Sequence, residues 1–432
     1  MKDCGVEWIG EIPNHWKTER LQWYLTEIKE SNDPIQTEQV LSLTNKRGVI
    51  PYEEKGAQGN NAKENYADYK LAYPNTLVLN SMNVLIGSVG ICDYFGCVSP
   101  VYYVFKPNEK ANLEFINYIF QTELFQKELR RYANGILEIR LRLSSADILK
   151  RIVCFPSAEI QALIVAHLNK KLEQIDALIA NQEKQIEKLK QYKQALITEV
   201  VTKGLDPTIP MKDSGVEWIG EIPKTWETKP LKYLFSFGKG LPITKADLVE
   251  NGVKVVSYGQ IHAKYNLSAH LDEKLFRFVP KSICEANPFS LVTKGDFIFA
   301  DTSEDIEGSG DFVYIDQIDS IFAGYHTITL FSKTNKNNQF LAYLFMSEMW
   351  KKQIWSKVCG VKVFSLSRSI LSRTSVLLPP VEERDRICSF LDEKSRAFER
   401  EIAIKQSKIE KLNQYKKSLI YEYVTGKKEV LA

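Results

Sequence analysis

The sequence predicts an α+β protein, a pseudo-two-fold tandem duplication in which two globular α/β modules are separated by two long antiparallel coiled-coil helices. Three observations carry that prediction. The opening segment MKDCGVEWIGEIPNHW (1–16) returns as MKDSGVEWIGEIPKTW from Met211, with 13 of 16 positions identical at an offset of 210. A second pair, IEKLKQYKQALITEVVT (186–202) and IEKLNQYKKSLIYEYVT (409–425), shares 12 of 17 positions at an offset of 223, and 155–171 runs parallel to 378–394 at that same offset. The middles of the two copies, about 26–150 and 236–373, do not match. A duplicated unit of this size is far longer than a solenoid or propeller repeat, so the pattern is a constant frame holding two different inserts.

The long helices follow from periodicity and punctuation. Between Ser157 and Thr202 there is no Gly or Pro, and apolar residues recur at alternating steps of four and three through Leu168, Leu172, Ile175, Ile179, Ile186 and Leu189. The second copy repeats the seam with Leu391, Phe398, Ile402, Ile409 and Leu412. Such a heptad seam specifies a coiled coil. Pro156 and Pro379–Pro380 stand just before each helix, where proline is tolerated, and Gly204 and Gly426 stand just after. A helix of this length spans about 65 to 70 Å and cannot bury its seam alone, so the two are expected to pair antiparallel and to set the distance between two globular heads. Gln182 and Lys405 fall on the seam as polar candidates for fixing register.

Each insert reads as mixed α/β. Strand-like runs lie at 75–90, 97–105, 294–303 and 322–331, and each insert then carries one helix, 112–132 in the first and 338–357 in the second. Basic residues gather at the ends of those helices and in the loops that follow. The first insert has Arg130, Arg131, Arg140, Arg142, Lys150 and Arg151, and the second has Lys351, Lys352, Lys357, Lys362, Arg368 and Arg373. Recurrence of a cationic cluster at one place in two divergent inserts points to phosphate binding. Loops 44–65 and 258–270 are rich in Asn, Gln, Lys, Arg and His, side chains able to read base edges. Asn45, Lys46, Arg47, Gln260, His262 and Thr302 are the candidates there.

Composition and missing motifs exclude much. At 44% hydrophobic, 26% charged and net charge +3, the 432 residues have an ordinary globular make-up. No apolar run is long enough to span a membrane, and the first residues lack a secretory signal's layout. Seven cysteines without a C-x-x-C pair fit a reducing cytoplasm, and buried thiols are expected at Cys92 and Cys97. There is no phosphate-binding loop, no [DNS]-P-P-[YF] tetrapeptide and no histidine pair at metal-ligand spacing. His326 is expected to be a satisfied, half-buried strand histidine. The chain reads as a binder without catalytic, metal or cofactor residues.

The paired VEWIGEIPxxW openings, GDFIFADTS, AGYHTI, LPPVEERDRICSFLDEK and the IEKLxQYKxxLIxE helices resemble the specificity subunits of type I restriction–modification enzymes. The resemblance runs over essentially the whole chain. It implies target recognition domains at 1–154 and 205–377 (with 205–210 as linker) and conserved spacer helices at 155–204 and 378–432. It also implies a non-catalytic, cytoplasmic subunit of a bacterium or archaeon. Such a subunit binds double-stranded DNA at a bipartite asymmetric site, one half per recognition domain. Two methyltransferase subunits and restriction subunits would join it, and S-adenosylmethionine, ATP and magnesium would belong to those partners. Two other readings stay open from the residues alone. One is the specificity subunit of a related system with fused methylation and cleavage functions; the other is a coiled-coil scaffold with protein- or sugar-binding heads.

Overall fold

The computed structural model describes residues 1–44, 47–55, 65–133, 141–264, 266, 268–333, 337–360 and 362–430. The chain divides into two units, Met1–Glu183 with Gln406–Ala432, and Lys184–Lys405. Each unit therefore contains one frame, one insert, and half of each long helix.

In the first unit the central sheet has four antiparallel strands in the spatial order Leu25–Ile28, Tyr102–Pro107, Thr76–Asn80, Val89–Cys92. Side chains alternate across it, as a pleated strand requires. Leu77, Leu79 and Phe105 join a core with Phe115, Phe120 and the long helix's Leu168. Val78 and Val104 point to the other face, against Leu41, Leu43 and Val49. Both faces are covered, which explains why Thr76–Asn80 reads as a continuous apolar run.

The second unit repeats the order with Phe235–Lys239, Thr327–Ser332, Phe297–Ala300 and Phe312–Tyr314. Phe297, Phe299 and Leu330 face a core with Phe345 and Trp350, while Ile298, Ala300 and Val313 face another. This unit adds a second four-stranded sheet, Arg277–Val279, Val253–Val256, Ser320–Ala323, Leu291–Thr293, whose middle pair is parallel.

The single helix expected in each insert is two. Leu113–Gln121 and Glu123–Arg130 are separated by Thr122 at φ −77°, ψ 132°. Gln339–Met346 and Glu348–Trp355 are separated by Ser347 at φ −75°, ψ 137°. Ser347 caps the second helix by accepting from Trp350 N–H at 3.3 Å. Apolar residues on either side continue a helical period, so periodicity alone hides a break that a hydroxyl residue followed by Glu imposes.

The long helices are Ala158–Lys203 and Val381–Val424. Within the first unit His167 meets Tyr423 at 4.8 Å between ring centroids, and Asp176 pairs with Lys416 at 2.5 Å. Within the second, Lys193 pairs with Glu399 at 2.9 Å and Lys405 donates to Gln185 at 2.6 Å. Rising numbers on one helix meet falling numbers on the other, so they run antiparallel in each unit. Leu168, Leu172, Ile175, Ile186 and Leu391 are buried, whereas Ile179, Leu189, Phe398, Ile402, Ile409 and Leu412 are half-buried. Gln182 is buried.

Both helices stop on a glycine in the left-handed region, Gly204 at φ 76° and Gly426 at φ 69°. A Cβ on Gly426 would lie 2.4 Å from Pro13 Cδ, and one on Gly204 would lie 2.9 Å from a Glu383 carboxylate oxygen. The invading groups belong to the frame and to the paired helix, so each stop is built for close approach as well as for its backbone angle. The tryptophans of the repeated openings, Trp16 and Trp226, are buried beside these glycines.

Candidate nucleic-acid interface

In the second unit the candidate residues gather around the loop that leaves strand Phe297–Ala300. Thr302–Ser303 pairs with Phe364–Ser365, two residues beyond the exposed Lys362. His262 ends the short helix Tyr258–Ile261, where its Nε2 lies 2.8 Å from the Thr302 carbonyl and its Nδ1 lies 3.1 Å from Asp311. Both partners are acceptors, an arrangement that favours the ring with both nitrogens protonated. Burial opposes that charge, but the Asp311 carboxylate and the Thr302 carbonyl outweigh it and raise the pKa. Lys351 Nζ sits 2.5 Å from the other Asp311 oxygen. Burial favours the neutral acid at Asp311, yet these two cations hold its carboxyl below the usual range.

Tyr258 packs 5.3 Å from His326 and 5.5 Å from Tyr325, giving this surface an aromatic edge. His326 differs from expectation. It occupies a turn at φ 54° between two strands, its side chain 57% exposed and its Nδ1 3.3 Å from Asp301. The strand starts one residue too late to include it: Thr327 begins the strand, and the Thr327 hydroxyl closes the turn onto the Gly324 carbonyl at 2.7 Å. Gln260 uses its Oε1 to accept from Ser257 N–H at 3.1 Å. Lys352 is half-buried and Lys357 exposed.

A second charged knot ties this insert to the long helix. His270 lies 2.5 Å from Asp316 through Nδ1 and 3.0 Å from Asp392 through Nε2. Asp392 also accepts from Tyr343 at 2.5 Å and from Gln339 at 2.8 Å. The Asp316 and Asp392 hydrogen bonds raise the His270 pKa to about 10 despite burial. Sequence reasoning missed both knots, because His262 and Asp311 stand 49 residues apart and His270 and Asp392 stand 122 apart.

In the first unit, Asn45, Lys46 and Arg140 lie outside the described residues. Arg47 is exposed and pairs with Glu54, also donating to its carbonyl at 3.3 Å. Arg130 and Arg142 are exposed. Arg131 bridges Glu7 at 2.9 Å and Glu128 at 3.2 Å. The Arg151 guanidinium carbon lies over the Tyr132 ring, 3.3 Å from its centroid. All seven cysteines are free, and burial pushes the Cys92 and Cys97 thiols up to about 11. Among the described residues no cluster of His, Cys, Asp and Glu is arranged to hold a metal, and no helix is long and apolar enough to cross a membrane.

These features have counterparts in known proteins. The family model described as Type I restriction modification DNA specificity domain matches residues 223–414. The type I restriction enzyme MjaVIII specificity subunit of Methanocaldococcus jannaschii is 27% identical over 265 residues, 60% of this chain and 58% of that one. The match thus spans less than two thirds of that relative's length. Two solved structures share the fold across 96% of this chain and 98% of their own. One, reported for complex assembly and conformational transition of a type I restriction–modification system, has a TM-score of 0.70 at 12% identity. The other, the HsdS subunit of Thermoanaerobacter tengcongensis, has a TM-score of 0.51 at 13% identity. The chain thus carries, over residues 223–414, a match to the type I restriction modification DNA specificity domain, and along its length it shares the fold of those two solved structures.

Proposed function

We propose that this chain is the DNA-recognition subunit of a type I restriction–modification complex and reads a bipartite asymmetric site, one half-site per unit. The observation that carries the reading is the repeated four-strand order under two inserts whose sequences do not match. Two copies of one scaffold with different surfaces suit the reading of two different sequences. One half-site falls to Asn45, Lys46, Arg47, Arg130, Arg131, Arg140 and Arg142, the other to Gln260, His262, Thr302, Lys352, Lys357 and Lys362. The exposed cations among them suit phosphate contacts, while His262, with both nitrogens occupied, acts by holding its loop. Two methyltransferase subunits and restriction subunits dock on this core and supply catalysis with S-adenosylmethionine, ATP and magnesium. The chain itself catalyses nothing and works in the cytoplasm.

The test is methylation mapping. Host genomes with and without the gene, and duplex DNA treated with the chain plus its methyltransferase partner, are sequenced for methyladenine. One two-part motif that needs both proteins is the expected result. Methyl transfer by the chain alone, or no motif in the reconstituted mixture, would refute the reading.

A further inference from the structure

We propose that the first unit carries an oxyanion site, suited by charge to a phosphate group, that the second unit lacks. A surface cavity of about 370 Å³ opens where the frame, the end of helix Glu123–Arg130 and the start of strand Ile152–Phe155 meet, and Arg20, Arg131, Lys150 and Arg151 all line it. Glu7 and Glu128 line it too. Arg131 pairs with both carboxylates and Arg151 Nη1 also lies 3.9 Å from Glu128, so four cations share two anions. Arg20 and Lys150 have no ion-pair partner among the described residues.

Strand pairing forces this crowding. Arg20 is the register partner of Ile152, and the next residue, Leu21, donates its N–H to the Arg151 carbonyl at 3.0 Å. The pairing thus brings the exposed Arg20 close to the Lys150–Arg151 segment, which concentrates positive charge at this edge. Arg151 is also preordered. Its guanidinium carbon lies over the Tyr132 ring, its Nε donates to the Asp147 carbonyl at 2.8 Å, and its side chain is only 12% exposed. A planar guanidinium held in place beside two exposed cations suits an oxyanion.

The same place in the second unit is not basic. The matching strand pair puts Pro230 opposite Ser375, and Leu231 donates to Thr374. At the Glu128 position stands Gln353, which is buried and bonded to the Ser375 backbone in both directions at 2.8 and 3.0 Å. Of the cations only a counterpart of Lys150 remains, Arg373. The cluster is thus an addition to one copy of a duplicated frame.

Phosphate could come from the DNA backbone or from a small free anion, and the experiment separates them. Full-length wild type, the Arg20→Gln/Lys150→Gln double variant and the control Lys188→Gln, an exposed residue of the long helix Ala158–Lys203, are titrated with inorganic phosphate by calorimetry, and with a duplex across a salt series. The expected result is at least a tenfold loss of phosphate affinity in the double variant and less than a twofold change in the control. If the group is a backbone phosphate, the slope of log K against log salt also flattens by about one. Loss in the duplex series alone assigns the site to DNA, and loss in the phosphate titration alone assigns it to a small anion. Unchanged behaviour in both overturns the proposal. Only the duplex series rests on the DNA-binding reading: wild type that binds no duplex sinks that reading and leaves the phosphate titration to decide the site.

Discussion

Strands Thr76–Asn80 and Phe297–Ala300 hold the same place in their sheets, yet the chain leaves them by different means. After the first, the Asn80 side chain accepts from Met82 N–H at 3.0 Å, Asn80 N–H reaches the Ser88 carbonyl at 3.2 Å, and no charged group is used. After the second comes an acidic run, Asp301, Glu304, Asp305, Glu307 and Asp311, pinned through Asp311 by His262 and Lys351. The frame asks only for alternating apolar residues and a fixed strand order. The loops above it are free to be neutral or charged. That freedom is what a duplicated scaffold needs if each copy is to acquire its own surface.

The comparison breaks most completely if the inserts do not work independently. Replacing residues 26–150 with the insert of a divergent specificity subunit is expected to change one half of the methylated motif outright and leave the other half as it was. Methylome sequencing reads this directly. A change in both halves would mean that the units do not divide the site.

Next in size is the seam. Leu168 and Leu391 are 0% and 1% exposed, in the cores under the two sheets, so either one replaced by alanine should cost about 2–5 kcal/mol. Ile402, half-buried between two helices, should cost about 1 kcal/mol. Urea unfolding of the three variants measures the ratio. Equal losses would show the seam uniformly tight, contrary to its graded burial.

Those seam residues were legible because a heptad pattern is local and Gly and Pro mark its ends. The duplicated frame was legible because identity at a fixed offset needs no structural knowledge. What escaped was non-local. The parallel pairing of Val253–Val256 with Ser320–Ala323 joins segments with no pattern in common, and it forms only because the intervening chain folds back. The helix breaks at Thr122 and Ser347 were masked by apolar periodicity. His262 and Thr302 stand out by loop position, and the fold does bring them within hydrogen-bond distance, but the Asp311 that raises the pKa of His262 has no sequence signal.

The His270 knot gives the third prediction. An imidazole with a folded pKa of about 10, against about 6.5 when unfolded, adds stability that is fully present below pH 6.5 and is lost as pH rises toward 10. His270 is about one-third exposed, so solvent screening trims the expected cost of His270→Gln to about 1–3 kcal/mol. The cost should be larger at pH 6 than at pH 9. A gap of constant size between wild type and variant would show that the ring bridges Asp316 and Asp392 without carrying charge.

The smallest effect tests the loop comparison itself. His262 has a pKa raised by Asp311 and Thr302 against the opposing effect of burial, so its contribution is present below about pH 6.5 and fades as pH rises through the raised folded value. His262→Gln keeps one donor but not the charge, and should cost the loop about 1 kcal/mol. Hydrogen exchange is the suitable measurement because it resolves local opening. At pH 6 the amides between Thr302 and Asp311 should exchange about five times faster in the variant than in wild type, and the ratio should shrink at higher pH. The amides between Asn80 and Ser88 in the first unit, held by an uncharged side chain and backbone carbonyls, should show a ratio of one at every pH. If the Thr302–Asp311 ratio is also flat with pH, the charged loop is no more pH-dependent than the neutral one, and the contrast between the two copies is one of shape alone.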